Sequence, residues 1–188
     1  TTMNHIDNFV EQVREIFKKT PDVRKQAQEI SKALRLLISN PSLLEEIKSR
    51  GGAKPGRINL HIDSMYGHPE PGFCLMTSLT PKGKSTGGAK AHDHGASFVV
   101  YGVFEGAIKQ TKYGWYYPNQ SDLLSPQLQP AESFVQNKGE VAFFLPGEIH
   151  NTSAVGNENP IVLRLEAQML SHVKRHSYDL VESEITGR

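Results

Sequence analysis

The spacing of apolar residues changes at Gly52, and this change limits the chain to a mainly β fold behind a helical segment. After Gly52 the apolar residues form short runs bounded by Gly, Pro or Asn, at 73–80, 97–104, 106–112, 141–145 and 161–169. Short runs at this spacing, with no long helical stripe between them, predict antiparallel strands in a sandwich or barrel. Residues 117–136 are rich in Pro, Gln and Ser and are predicted to form a long loop.

Before Gly52 the apolar residues follow the period of an α-helix. Within residues 6–17 they fall three and four positions apart, as on one stripe of a helix. Thr20 and Pro21 then predict the start of a second helix, and Asn40 with Pro41 ends it and starts a third. We therefore expect a helical extension at 1–52, a β-barrel at 53–170 and a C-terminal tail at 171–188.

The charge balance argues against a polyanionic partner. The chain has 21 Lys and Arg against 20 Asp and Glu, whereas nucleic-acid binding needs clustered, uncompensated positive charge. Its apolar runs fall short of the roughly 20 residues that span a bilayer. The single cysteine, Cys74, cannot form an internal disulfide. We expect a cytoplasmic protein, a monomer or homodimer, that binds neither nucleic acid nor membrane.

Three of the eight histidines lie where they can share one metal ion. His92 and His94 are two residues apart, and in a strand such residues point to the same face. His150 follows the turn formed by Pro146 and Gly147 at the end of an apolar run, where a neighbouring strand can bring a third ligand. The pattern predicts a metal site made by His92, His94 and His150.

Together with nearby glycines, these histidines resemble the two motifs of the cupin superfamily. The matching residues are, in chain order, His92, His94, Gly106, Gly139, Pro146, Gly147 and His150. The resemblance implies a mostly β protein built as a cupin double-stranded β-helix, or jelly-roll barrel, with the N-terminal helical extension outside it. It also implies a divalent metal held by the three histidines.

One position departs from the usual cupin pattern. Where the family places a glutamate ligand, five residues after the second histidine, this chain has Val99. Three histidines without a glutamate resemble the cysteine dioxygenase-like cupins, which also carry helices ahead of the barrel. The resemblance implies a mononuclear non-heme Fe(II) dioxygenase that uses O2 on a small organic molecule, a thiol or thiol acid first. Imidazole also suits Zn and Ni, so a metal-binding sensor or carrier, or a Zn or Ni isomerase or lyase, is the alternative.

The strand after His150 differs from that of the mammalian-type cysteine dioxygenases. With Pro160 as the anchor of the alignment, their inward Ser, His and Tyr correspond to Leu163, Leu165 and Ala167. These side chains are then expected to face the site and Arg164 to face outward. A shift by one residue would instead turn inward Arg164, Glu166 and Gln168. In either register we expect a substrate other than cysteine.

Two further residues are candidates for contact with a substrate. Tyr101 lies two residues after Val99 on the same strand face, and is either a site residue or a barrel-core tyrosine. The resemblance implies an arginine that holds a substrate carboxylate, and a guanidinium suits this because it donates two parallel hydrogen bonds. Arg57, at the start of a predicted strand, is preferred for this role to Arg164, which the alignment turns outward.

Overall fold

The first two N-terminal helices begin at side chains that cap them. The computed structural model describes residues 4–66, 72–80, 90–117, 126–155 and 159–178. Its helices are α1 (His5–Lys19), α2 (Val23–Ile38) and α3 (Leu43–Ser49). Asn4 caps α1 by accepting a 2.9 Å hydrogen bond from the Asp7 amide, and Asp22 caps α2 through the Lys25 amide at 2.8 Å. The start of α2 predicted at Thr20 is therefore displaced to Asp22.

Across the described residues, no helix has the length and apolarity needed to cross a bilayer.

Within the described ranges, ten strands follow the helices and form two antiparallel sheets. They are β1 (Gly56–Ile62), β2 (Cys74–Leu79), β3 (Ala91–His92), β4 (Val99–Glu105), β5 (Ala107–Tyr116), β6 (Gln127–Asn137), β7 (Val141–Phe144), β8 (Ile149–Ala154), β9 (Ile161–Glu166) and β10 (Ser177–Tyr178). One sheet, called here the helix-covered sheet, has the order β1-β2-β9-β4-β7. The second sheet has the order β10-β3-β8-β5-β6.

Strands β2 to β9 have jelly-roll connectivity. The chain crosses from one sheet to the other at every step from β2 to β9, except at the hairpin that joins β5 to β6. The resulting orders β2-β9-β4-β7 and β3-β8-β5-β6 are those of two interleaved Greek keys. The predicted cupin-type double-stranded β-helix is therefore confirmed, with β1 and β10 each added at one edge.

The loop predicted for residues 117–136 is wrong in its second half. Strand β6 pairs with β5 along its length, from Gln127 opposite Tyr116 to Asn137 opposite Ala107. Pro130 lies on this edge strand beside a register shift, which is where strands tolerate proline. Pairing with β5 outweighed the local preference of Pro, Gln and Ser for turns. Residues 118–125 lie outside the described residues.

The helix-covered sheet is buried on both faces. On one face Val100, Leu163 and Leu165 pack with Phe9 of α1 and Leu34 of α2. The other face lines the barrel interior, where it contributes to a second apolar cluster made of Val99, Tyr101, Val103, Ile108, Phe144, Val162 and Leu170. Each strand of this sheet therefore presents one set of side chains to the helices and the alternate set to the interior.

This alternation corrects the facing predicted for β9. Leu163 and Leu165 face the helices and not the site, and Ala167 belongs to the same helix-facing cluster. Arg164 and Glu166 lie between them in sequence and are buried on the interior side. For Arg164 and Glu166 the shifted register describes the structure, because the helical layer needs an apolar sheet face and the leucines supply it.

The packing of α2 on β4 can be tested through Leu34. Leu34 is fully buried beside Gly102, where even a Cβ atom would come within 3.0 Å of it, whereas Leu36 is 71% exposed. Leu34→Ala should lower the free energy of unfolding by about 2 to 5 kcal/mol, because it leaves a cavity. Leu36→Ala should change it by less than about 0.5 kcal/mol. Urea unfolding measures both, and equal effects would contradict this placement of α2.

Candidate metal centre

The structure brings His92, His94 and His150 into one buried cluster. His92 ends β3 and is the cross-strand partner of His150 on β8. His94 follows after the strand has ended, just before the chain turns at Gly95, whose φ is 58°. Potential ligand atoms of the three rings lie within 4.8 Å of one another, and the two Nε2 atoms of His94 and His150 are 3.2 Å apart. His94 thus reaches the cluster from a turn and not from the strand that carries His92.

Contacts behind the rings determine how they point. His92 Nδ1 donates a 2.7 Å hydrogen bond to the Lys90 carbonyl, and His150 Nδ1 lies 3.1 Å from Oε1 of Gln110. Phe144 stacks on the His150 ring, with the centroids 3.8 Å apart and the planes 18° from parallel. Because Nδ1 is engaged in both rings, Nε2 is the atom that each offers to the shared centre.

Burial keeps the three rings neutral. It is the largest cause that lowers the pKa of His150 to about 2, ahead of the neighbouring His92 and the charge of Arg164. The pKa values of His92 and His94 are also lowered, with burial again the first cause. Three neutral imidazoles whose nitrogens converge form a donor set that fits a divalent metal ion.

The cluster contains no carboxylate within the part of the chain that the structure describes. Val99, at the position of the usual cupin glutamate, is fully buried and packs with Tyr101 and Phe144 inside the barrel. A metal held by three protein ligands keeps open positions, as catalytic metal sites do. A divalent ion bound by these three histidines would therefore keep coordination positions open.

Tyr101 lies at the cluster. Its hydroxyl is 3.5 Å from Nε2 of His94 and 3.4 Å from Nε2 of His150. Burial raises the pKa of Tyr101, so the hydroxyl keeps its proton. The two interpretations left open by the sequence are compatible, since the ring packs in the barrel core while the hydroxyl points to the shared centre.

Arg164 is the charged group behind Tyr101. It is 3% exposed, and its guanidinium carbon lies 5.2 Å from the centre of the Tyr101 ring. Its Nε forms an ion pair with Glu166 at 2.9 Å, outside hydrogen-bond geometry, and Nη2 has no hydrogen-bond partner among the described residues. Glu166 also accepts from the Leu170 amide at 2.9 Å and the Cys74 thiol at 3.4 Å. The prediction that Arg164 faces outward is wrong, because β9 buries its leucines against the helices.

Arg57 lies on the same side of the helix-covered sheet as Arg164. It pairs with Ser78, which in turn pairs with Val162 of the interior cluster, and residues in one cross-strand row share a face. Burial is the first cause that lowers the pKa of Arg57, and the positive charge of Arg164 is the second. Part of the side chain remains open to solvent, which places Arg57 at the rim of the barrel.

Part of the predicted C-terminal tail runs beside the histidine motif. Strand β10 pairs with β3, and Asp93 accepts hydrogen bonds from the amides of Gly95 and His176 and from the Tyr178 hydroxyl. Asp93 thereby ties the C-terminal segment to the turn that carries His94. Residues 179–188 lie outside the described residues.

Two buried polar residues near the cluster, Asp93 and Gln110, were not singled out from the sequence. Asp93 stands between the two motif histidines, and that position was the available signal. Gln110 is fully buried on the interior face of β5, between Ile108 and Lys112 in the alternating pattern. Its importance becomes visible when the facing of β5 is known, because an amide on an apolar face needs a partner.

Neither His61 nor Cys74 belongs to the histidine cluster. His61 lies 3.0 Å from Asp63, a carboxylate that also accepts from Arg14 of α1 and so attaches the helix to the barrel. Burial raises the pKa of the Cys74 thiol, which keeps it protonated. His68 lies outside the described residues.

Comparison with known proteins gives only distant likenesses. No protein-family model and no curated protein matches the chain. The cupin domain of Cnp3 from Schizosaccharomyces pombe is 15% identical over 60% of this chain and 60% of that chain, with a TM-score of 0.42. A conserved protein with a double-stranded β-helix domain from Klebsiella pneumoniae is 13% identical over 66% of this chain and 80% of that chain, with a TM-score of 0.45. A hydroquinone 1,2-dioxygenase solved with Cd²⁺ and 4-hydroxybenzonitrile is 11% identical over 66% of this chain and 71% of that chain, with a TM-score of 0.43.

The strand order and the histidine cluster are properties of this chain itself. Together they define a class, a cupin-type jelly-roll barrel with a three-histidine cluster suited to a divalent metal ion.

Loss of one imidazole should greatly weaken metal binding. His92→Ala, His94→Ala and His150→Ala should each weaken binding of a divalent ion by more than about 100-fold, because loss of an outer partner of a ligand already costs about 10- to 100-fold. His61→Ala is the matched control, since His61 contacts Asp63 and lies outside the cluster, and it should retain the metal. Elemental analysis and Co(II) titration measure the effect. Full metal content in His150→Ala would refute the assignment.

The neutral rings also predict how the stability of the metal-free protein depends on pH. The unfolded chain protonates its histidines near pH 6.5, whereas the pKa of His150 in the folded protein is lowered to about 2. Between these values the unfolded state binds one more proton, so stability falls as the pH falls. His150→Gln should reduce the slope of unfolding free energy against pH below pH 6 by about 1.4 kcal/mol per unit. Denaturation of chelator-treated protein from pH 7 to 5 measures it, and an unchanged slope would show that folded His150 accepts protons.

Proposed function

We propose that this protein is a mononuclear non-heme Fe(II) dioxygenase that uses O2 to oxidise a small organic acid, with thiol acids as the first class to consider. The observation that carries the proposal is the set of three buried, neutral imidazoles, without a carboxylate among the described residues and with the Tyr101 hydroxyl beside them. Bound iron would supply the change of oxidation state that O2 chemistry requires, with up to three coordination positions left open by the three histidines.

Tyr101 provides a hydrogen-bond donor at the centre. Its hydroxyl lies close to Nε2 of both His94 and His150, so it faces the point on which the imidazole nitrogens converge. Because the pKa of Tyr101 is raised by burial, the phenol stays protonated at neutral pH. It is then able to donate to an anionic atom of a substrate and to orient that substrate at the site.

The charges beside the cluster favour an anionic substrate. Nη2 of Arg164 is a buried donor without a partner among the described residues, and such a donor is costly unless a ligand accepts from it. Arg57 adds a second positive charge on the same side of the sheet, while Glu166 is engaged by Arg164 and the Leu170 amide. A substrate carboxylate would accept from the free donor and offset the excess positive charge.

Arg57 and Arg164 take different parts in this proposal. Arg57 remains open to solvent at the rim, where it is able to exchange water for an entering carboxylate. Arg164 is buried and paired with Glu166, so its positive charge is held in a fixed position. With Arg164 and Glu166 in the inward positions of β9, the site lacks the Ser, His and Tyr pattern of cysteine dioxygenases, and we propose an acid other than cysteine.

A non-redox metal site is the second candidate, because three imidazoles are also a ligand set of catalytic zinc. In that case the same site would bind an acid beside a Lewis-acidic ion and act as an isomerase or lyase without O2. The identity of the metal and the need for O2 separate the two candidates, since zinc has no redox change to offer.

The decisive experiment compares two metals in one protein. Chelator-treated protein is loaded with Fe(II) or Zn(II) under argon, and O2 uptake is followed with thiol acids and with the corresponding amides. We expect uptake with the Fe(II) protein and an acid, and none with the Zn(II) protein. Conversion of an acid by the Zn(II) protein without O2 would favour the second candidate.

The same assay tests the carboxylate contact through Arg57. Arg57→Gln should raise KM for the acid by roughly 10- to 100-fold, the equivalent of a charge-assisted hydrogen bond of about 1.5 to 3 kcal/mol. Its kcat should change little, because Arg57 lies at the rim. Arg35→Gln, on the exposed face of α2, is the matched control and should leave KM unchanged. Equal KM values for acid and amide would contradict an acidic substrate.

A further inference from the structure

Four polar side chains form a buried group behind the metal cluster. His150 and Gln110 are fully buried, Gln136 is 2% exposed and Thr152 is 8% exposed. They lie on β8, β5 and β6, where the inward neighbours are apolar residues such as Ile108. Polar groups in such a place are retained only at a cost unless each finds a partner, so the pattern of their hydrogen bonds carries information.

Backbone carbonyls determine the orientation of Gln136. Its Nε2 lies 2.8 Å from the carbonyl oxygen of Tyr101 and 3.1 Å from that of Glu140. A carbonyl oxygen accepts and never donates, so the nitrogen end of this amide has to point toward these two atoms. Oε1 of Gln136 is therefore directed to its remaining neighbour, Nε2 of Gln110, at 3.3 Å.

The orientation of Gln110 follows from that of Gln136. Because Nε2 of Gln110 donates to Gln136, its Oε1 faces the other way and accepts from the Thr152 hydroxyl at 2.7 Å. The same oxygen lies 3.1 Å from Nδ1 of His150. An amide oxygen only accepts, so the proton of the neutral His150 ring has to be on Nδ1. The lone pair is then on Nε2, which faces His94.

We propose that Gln110 and Gln136 are positioning residues that fix the tautomer of His150 in the form that binds a metal. The chain of donors and acceptors begins at two backbone carbonyls, which cannot be reversed, and ends at the ligand nitrogen. The proposal rests on the metal site and not on the dioxygenase reaction, and the tautomer exists in the metal-free protein.

The other two ligands are held differently. His92 donates from Nδ1 to the backbone carbonyl of Lys90, which no side-chain substitution removes. Nδ1 of His94 has no hydrogen-bond partner among the described residues. His150 is thus the ligand whose tautomer depends on a side chain, and that side chain is held by a second one.

The hydrogen-bonded series Gln136, Gln110 and His150, called here the relay, also joins the two sheets at the site. Gln136 of the second sheet donates to the carbonyl of Tyr101 in the helix-covered sheet, and Gln110 contacts the ligand His150. The strand that carries the Tyr101 hydroxyl and the ring of His150 are therefore connected through two amides. A change at Gln136 should therefore reach His150 through Gln110.

The experiment measures the tautomer directly. Nitrogen-15 NMR of metal-free, histidine-labelled protein should show His150 with its proton on Nδ1. In Gln110→Met and Gln136→Met the acceptor is lost or no longer oriented, so both tautomers should be populated. Co(II) affinity should fall by roughly 10- to 100-fold in Gln110→Met, as for loss of an outer partner of a metal ligand. A smaller fall in the same direction is expected for Gln136→Met.

Two controls separate positioning from general loss of stability. Thr77→Val removes a different buried hydrogen bond, from Thr77 to the Gly52 carbonyl, and should change neither the tautomer nor the Co(II) affinity. Gln110→Glu keeps an acceptor for His150 Nδ1 but, when ionised, has no proton to donate to Gln136. It should therefore retain the tautomer and the Co(II) affinity even if the protein becomes less stable.

The outcomes are distinct. An unchanged His150 tautomer in Gln110→Met, or equal affinity losses in Thr77→Val and Gln136→Met, would overturn the relay. Loss of Co(II) affinity in Gln110→Glu equal to that in Gln110→Met would overturn it as well. If wild-type protein bound no Co(II) but showed His150 protonated on Nδ1, the metal site would fail while the orientation of the relay stood.

Discussion

Both faces of the sheet β1-β2-β9-β4-β7 lie against protein, and this double burial determines where the side chains of the site point. The helices require an apolar face, which is supplied by residues such as Leu163 and Leu165. Because side chains alternate along a strand, the same requirement turns Arg164 and Glu166 into the barrel. A slip of one residue would place these two charges among the apolar side chains under the helices, where burial of charge is costly. The helical layer thus determines which way the polar side chains on the opposite face of the sheet point.

Inside the barrel, the positive charge of Arg164 favours the neutral form of His150. Burial disfavours the protonated form of His150, and the positive charge of Arg164 lowers its pKa further. A neutral imidazole is a metal ligand, whereas a protonated one is not. Arg164 therefore favours the neutral histidines that a metal ion needs. In the proposed function, its Nη2 is also the donor for a substrate carboxylate. One buried guanidinium, partly balanced by Glu166, serves the metal position and the proposed substrate position together.

The three histidines are supported from outside the cluster by unlike means. Asp93 joins the turn that carries His94 to the C-terminal segment, through the His176 amide and the Tyr178 hydroxyl. Gln110 contacts His150 from the interior of the second sheet. These supports come from strands that are far apart in the chain, so the geometry of the centre is a property of the closed barrel and not of the histidine motif.

The sequence by itself determined the N-terminal helices, the β-barrel class and the three histidines of the cluster. The spacing of apolar residues, the turn residues and the chemistry of the ligands are all properties of short segments. Val99, at the position where the cupin motif usually has a glutamate, was visible in the sequence as well. The tertiary structure alone decided that residues 127–137 form a strand, that Arg164 faces inward and that Gln110 contacts His150. In β9 the leucines alternate with charges, a pattern that says which residues share a face but not which face is covered by helices. That assignment depends on contacts between distant segments, and the local sequence does not contain it.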